Sequence, residues 1–178
     1  ITRPFSEDDY NELLQQAVAV IETSRMRIAK EINTIAMSSY WEIGKLLDER
    51  KVDSKHGDSI VKRLSIDLKS KYPDMGLSPR NLWNMKRFYL RYCQYDTKVQ
   101  QAVAVLPWSH NLLLMSYDLS PEYIVFYANE VYAKGWSRDM LNHALKSAYH
   151  LSIQATEKSN NFDFTLPAQQ ADYANEVF

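Results

Sequence analysis

From Ser6 to about Arg50 the chain contains no proline and one glycine, Gly44, and this stretch constrains the fold more than any other. Ser6 followed by Glu7, Asp8 and Asp9 is a helix start, because the acids favour the positive end of the helix dipole. Leu14, Val18, Ile21, Ile28, Ile32, Ile35, Ile43 and Leu46 then recur at a helical period, interrupted by Arg25 and Ser39. A single helix of that length would run roughly 65 Å, beyond the diameter of a compact domain of this size. Either the helix breaks, near Ser24 or Ser38, or it protrudes and pairs with a partner, a second copy included. The two interruptions argue against a strict coiled coil.

The rest of the chain also reads as helices, which makes the expected fold class all-α, a multi-helix domain with a long first helix. Four glycines and six prolines in 178 residues are too few turn-formers for a loop-rich β architecture. A second helix runs from Asp58 or Ser59 to about Lys71, with Ile60, Val61, Leu64 and Leu68 on its apolar face, and Tyr72-Pro73 ends it. Ser78 and Pro79 open the next as N-cap and first helical residue. A short apolar helix follows at Val99–Val105 and another from about Ser109 to Tyr117. Ser120-Pro121-Glu122 opens a helix that Gly135 closes, and Ser137 caps one reaching about Leu151, with Leu141, Leu145 and Ala148 inward. The segment from Asn160 to Leu166 reads as irregular, and Pro167 as a possible last helix start. The boundaries expected are a helical domain over 1–165 and a connection over 166–178. The chain begins at Ile1 and ends at Phe178, which reads as a fragment of something longer.

The Ser78 helix has two unlike faces. Arg80, Asn84, Arg87 and Arg91 form one stripe, while Leu82, Met85, Tyr89 and Tyr92 form an apolar one with Phe88 at its edge. Between Lys51 and Lys98 there are eleven Lys or Arg against five Asp, a local balance of +6, so the remainder of this −1 chain carries −7. Basic charge gathered on a helix is the footprint of nucleic-acid binding. A helix, a short turn at Asp74-Met75-Gly76 and a basic helix together outline a helix-turn-helix. In that reading Arg80, Asn84, Arg87 and Arg91 approach the groove of duplex DNA. Asn81 serves either groove or turn, and Lys62, Lys69, Lys71, Lys86 and Lys98 contact phosphates.

Signals for catalysis are weak. His56, His110, His143 and His150 are scattered, and none has metal-ligand spacing with Cys93 or a carboxylate pair. Ser109-His110 lacks a third member, so His110 reads as a packed or capping side chain. Asp67-Leu68-Lys69 resembles half of a nuclease metal site, but it falls within a helix. No cofactor or metal is expected. A lone cysteine excludes an internal disulfide and fits a cytoplasmic protein, and no apolar run is long enough to span a membrane.

Several motifs together resemble one family. Tyr40-Trp41-Glu42-Ile43-Gly44-Lys45, Leu64-Ser65-Ile66-Asp67-Leu68, Gly76-Leu77-Ser78 with Asn81-Leu82, Leu106-Pro107-Trp108-Ser109-His110-Asn111 and Gly135-Trp136-Ser137 are similar, in this order, to the N-terminal domain of the YhcG-type nucleases. The resemblance covers nearly the whole chain. It implies a following PD-(D/E)XK nuclease-like domain toward which Leu166-Pro167 and Gln169-Gln170 lead. The metal-binding Asp, Glu and Lys of such a nuclease are not in this chain, which is therefore expected to be a non-catalytic DNA-targeting module. The alternative is a protein-interaction or oligomerisation module, resting on the long first helix and on Trp41, Trp83, Trp108 and Trp136 as possible surface anchors.

Overall fold

The computed structural model describes residues 6–53 and 57–156. Among these residues seven helices follow one another: α1 (Glu7–Glu49), α2 (Gly57–Lys71), α3 (Pro79–Tyr92), α4 (Thr97–Ala104), α5 (Trp108–Leu114), α6 (Pro121–Lys134) and α7 (Arg138–Lys146). A further helical segment occupies 149–156, and no strand occurs among the described residues. The architecture is all-α. The chain divides into two compact units, with the boundary between Trp108 and Ser109. His56 and the connection expected at 166–178 lie outside the described residues.

In the first unit α1 runs unbroken for 43 residues, so neither expected break occurs. Ser6 and Asp9 form a reciprocal capping box, Asp9 N–H donating to Ser6 Oγ at 3.2 Å and Ser6 N–H to Asp9 Oδ2 at 2.8 Å. The Ser6 hydroxyl also donates to Asp9 Oδ2 at 2.6 Å, and this bond, with that from the Ser6 N–H, holds the Asp9 carboxyl below the ordinary carboxylate value. Mid-helix hydroxyls are absorbed by bonding back one turn, Ser24 Oγ to the Val20 carbonyl at 2.9 Å and Ser39 Oγ to that of Ile35 at 3.1 Å. Gly44 breaks nothing. It is buried where α1 crosses α3, and a Cβ there would stand 2.2 Å from the Met85 carbonyl oxygen. The helix ends as Lys51 takes a left-handed φ of 52°, its N–H donating to the Asp48 carbonyl at 2.8 Å.

The core of this unit corrects two expected faces. On α3 the fully buried residues are Leu82, Met85, Phe88 and Tyr92, so Phe88 lies at the centre of the face and Tyr89 at its edge. Phe88 meets Trp41, Tyr92 and Trp108 edge-on, with ring centroids 5.8, 5.2 and 5.5 Å away. On α2 the inward positions are Val61 and Ser65, flanked by Leu64 and Leu68, while Ile60 is exposed. Ser65 earns its place by donating to the Leu77 carbonyl at 2.6 Å. One residue is 100° around a helix, which is enough to exclude Ile60. The fourth helix starts at Thr97, two residues earlier than expected, because Asp96 accepts the Val99 N–H at 3.1 Å as its cap.

In the second unit, α6 starts behind Ser120 with Pro121 at its first turn and stops at Gly135, whose φ of 63° suits the residue without a Cβ. Ser137 caps α7, but that helix stops at Lys146 instead of reaching Leu151. The interruption is at Ser147 and Ala148, the latter at φ 49°, a left-handed stop with no glycine to announce it. Leu114, Ile124, Tyr127 and Leu141 are fully buried in this unit. His110 is a packed histidine: its Nε2 donates to the Trp136 carbonyl at 2.8 Å, while Ser109 Oγ lies 3.4 Å from Nδ1. Among the described residues no helix is long and apolar enough to cross a membrane.

Candidate nucleic-acid interface

Local chemistry sets α3 in place. Tyr72-Pro73 stops α2, and Ser78 Oγ accepts the Asn81 N–H at 3.2 Å to start α3 with Pro79 in its first turn. The connection between them, Tyr72–Ser78, is seven residues long, more than the three or four of a helix-turn-helix turn. It is fastened at Leu77, which is buried and whose carbonyl accepts from Ser65.

On α3 the row Arg80, Asn84, Arg87 and Arg91 lies, by the helical step, roughly 125° around from the centre of the buried face of Leu82, Met85, Phe88 and Tyr92, with Phe88 on the side nearer the row. Arg80 and Arg87 are exposed, and Asn84 and Arg91 are half-buried. Arg91 is partly committed to packing, since its Nε is buried and its guanidinium sits 5.9 Å from the Tyr92 ring centroid. Burial pushes the Tyr92 hydroxyl up to about 12, against the opposing pull of the Arg91 cation.

Two residues proposed from sequence, Lys86 and Asn81, are tied to distant parts of the chain. Lys86 sits roughly 130° around α3 from the arginine row by the helical step. It reaches back to the end of α1, donating to the Val52 carbonyl at 2.6 Å with Asp48 Oδ1 at 3.6 Å, and its side chain is only 12% exposed. Asn81 uses both ends of its amide within the chain, Oδ1 accepting from Trp108 Nε1 at 2.7 Å and Nδ2 donating to the Gly76 carbonyl. The Nδ2 bond ties it to the turn that precedes α3. The missed signals were Asp48 and Trp108, both distant in sequence.

Lys62, Lys69 and Lys71 are all exposed on α2. Lys62 and Lys69 are two turns apart and share one side, whereas Lys71 points about 180° away, so the three form no common face. Arg63 is also exposed but faces Asp67 at 4.0 Å, which engages the carboxylate of the Asp67-Leu68-Lys69 motif within its own helix. Lys98 is exposed at the start of α4, and Cys93 is an exposed thiol at the end of α3. Among the described residues no group of three or more His, Cys, Asp or Glu could hold a metal ion. What the arrangement offers chemically is cation presentation: a rigid, capped helix holding long donors at fixed spacing.

A family model described as the DUF1016 N-terminal domain matches residues 16–152. An Escherichia coli (strain K12) protein named "Putative nuclease YhcG" is 28% identical over 85 residues. That alignment takes in 46% of this chain and 22% of the relative, so the matched part spans less than a quarter of that protein's length. No solved structure matches.

Proposed function

The chain belongs to the DUF1016 N-terminal domain family, and from that premise we propose that it is a duplex-DNA-contacting module that performs no chemistry itself. The observation that carries this reading is the row on α3. Arg80 and Arg87 are exposed one above the other, Asn84 and Arg91 complete the stripe, and the buried face is locked into the core. A helix held this way fixes the backbone spacing of its donors, so binding has side chains to order but not the helix itself. In this reading Arg80 and Arg87 make the principal contacts, with Lys62 and Lys69 reaching phosphates from the side. Arg91 contributes charge more than reach. The relative's name supplies the context: a targeting module would hold nucleic acid for a nuclease domain elsewhere in the protein.

The test is a titration with labelled duplex DNA at several salt concentrations. Phosphate neutralisation makes log affinity fall linearly with log salt. Arg80→Ala with Arg87→Ala should weaken binding at least about tenfold and reduce the slope by about 2, one unit for each phosphate no longer neutralised. The thermal midpoint of the double variant is measured alongside, so that lost binding is read from a folded protein. Absence of binding at low salt, or an unchanged slope, overturns the reading.

A further inference from the structure

Every residue from Tyr10 to Ile32 of α1 is exposed, yet this half of the helix carries much of the chain's accessible apolar surface. Leu14, Val18, Ile21, Ile28, Ile32 and Ile35 are 48–67% exposed. With Arg25 included, their spacing alternates four and three, the seam by which one helix packs along another. By the 100° helical step this seam lies roughly 120° around from Met37, Gly44 and Leu47, which face α3. It is therefore a second face and not a frayed extension of the first. Together with Tyr10 it offers on the order of 700 Å² of surface, beyond the 300–600 Å² patch of a typical monomer.

We infer that a second copy of this chain covers the N-terminal part of the seam, Leu14 to Arg25, the two α1 helices running antiparallel about a two-fold axis between Ala19 and Val20. Arg25 decides the orientation. In a parallel pair it would stack on the partner's Arg25 in the middle of an apolar seam, with both charges desolvated. In the antiparallel pair Val18 meets the partner's Ile21, and Arg25 lies against the partner's Leu14 with its head free to reach solvent. The end charges agree. Glu7, Asp8, Asp9 and Glu12 crowd the start of α1, residues 13–21 carry no charge, and Glu22, Arg25, Arg27, Lys30 and Glu31 follow, a stretch of net charge +1 in which Arg25 and Arg27 face Glu22 and Glu31 at 3.4 and 3.9 Å. Antiparallel pairing lays the acidic end along this weakly basic stretch, with Asp9 opposite the partner's Lys30 and Glu12 opposite its Arg27, whereas parallel pairing sets four acids beside four. A two-fold contact of this kind is self-complementary and closes at two copies.

Sedimentation equilibrium of the 178-residue chain over roughly a hundredfold concentration range should show a dimer that dissociates on dilution. Val18→Glu should weaken association at least about thirtyfold while leaving the thermal midpoint of the dilute chain unchanged, because Val18 touches no core. For orientation, Leu14→Cys and Arg25→Cys are made separately in a Cys93→Ser background and oxidised alone and mixed. Antiparallel pairing gives a disulfide-linked dimer in the mixture and little in either variant alone. A chain monomeric at every concentration, a mass above the dimer, or cross-linking of Leu14→Cys with itself each overturns the assignment.

Discussion

The two halves of α1 obey one helical periodicity and meet opposite fates. From Asn33, whose Nδ2 reaches the Val105 carbonyl at 3.5 Å, to Glu49 the helix lies against its own unit and buries Met37, Gly44 and Leu47. From Tyr10 to Ile32 it buries nothing, although it is no less apolar. The difference is a matter of what crosses the helix. The docked half is held by a close approach at Gly44 and by a cluster of edge-on rings at Trp41, Phe88 and Trp108. Hydrophobic spacing alone says that a helix has an apolar face, not which of two apolar faces its own chain will cover.

The sharpest way to break this comparison is Gly44→Ala. Helix propensity alone would have alanine stabilise by up to about 1 kcal/mol. The structure demands the opposite sign, because the new methyl would meet the Met85 carbonyl, a backbone atom that cannot rotate aside. A loss of about 3 kcal/mol or more in urea unfolding is expected. Thr23→Ala in the protruding half should stay within about 0.5 kcal/mol. Stabilisation by Gly44→Ala would show that the docked half is not held by close approach.

A smaller effect sharpens the same boundary through pH. The Tyr92 hydroxyl beneath the docked half is pushed up to about 12 by burial, from an ordinary value of 10.0. A raised value means that the folded state holds the proton more tightly, so this contribution is complete below pH 10 and is lost as pH rises toward 12. Stability should fall by about 2 kcal/mol across that window. Tyr92→Phe should remove most of the fall while costing little at neutral pH, as measured by unfolding at several alkaline pH values.

Smallest is Lys86→Ala, which cuts the tie between α3 and the end of α1. Leaving the Val52 carbonyl and Asp48 without their ammonium should cost about 1–2 kcal/mol in stability. The salt slope of DNA titration should not move, in contrast to Arg80→Ala with Arg87→Ala. A changed slope with unchanged stability would return Lys86 to the contact surface.

Much of this was legible one element at a time. Ser6, Ser78, Ser120 and Ser137 announce helix starts because capping is settled within four residues, and Gly135 announces a stop for the same reason. The stop at Ala148 was not legible, since a left-handed alanine carries no local signature and is held by its surroundings. On α3 the row from Arg80 to Arg91 could be read from spacing, but the fates of Asn81 and Lys86 could not. Their partners, Trp108 and Val52 with Asp48, are 27, 34 and 38 positions away, and only folding brings them within bonding distance.

By itself, then, the amino-acid order determined an all-α chain, the places where most helices begin, and a basic row set apart from an apolar face. These follow from dihedral preference, capping and periodicity, all of which act within a turn or two. Tertiary structure alone decided that α1 would continue past Ser24 and Ser38, and that Gly44 marks a crossing instead of a break. It also decided that Phe88 lies at the centre of its face and that one stripe of α1 is covered while the other faces solvent. Those outcomes depend on which surfaces meet across space, and a helix of 43 residues extends beyond what its own unit can cover.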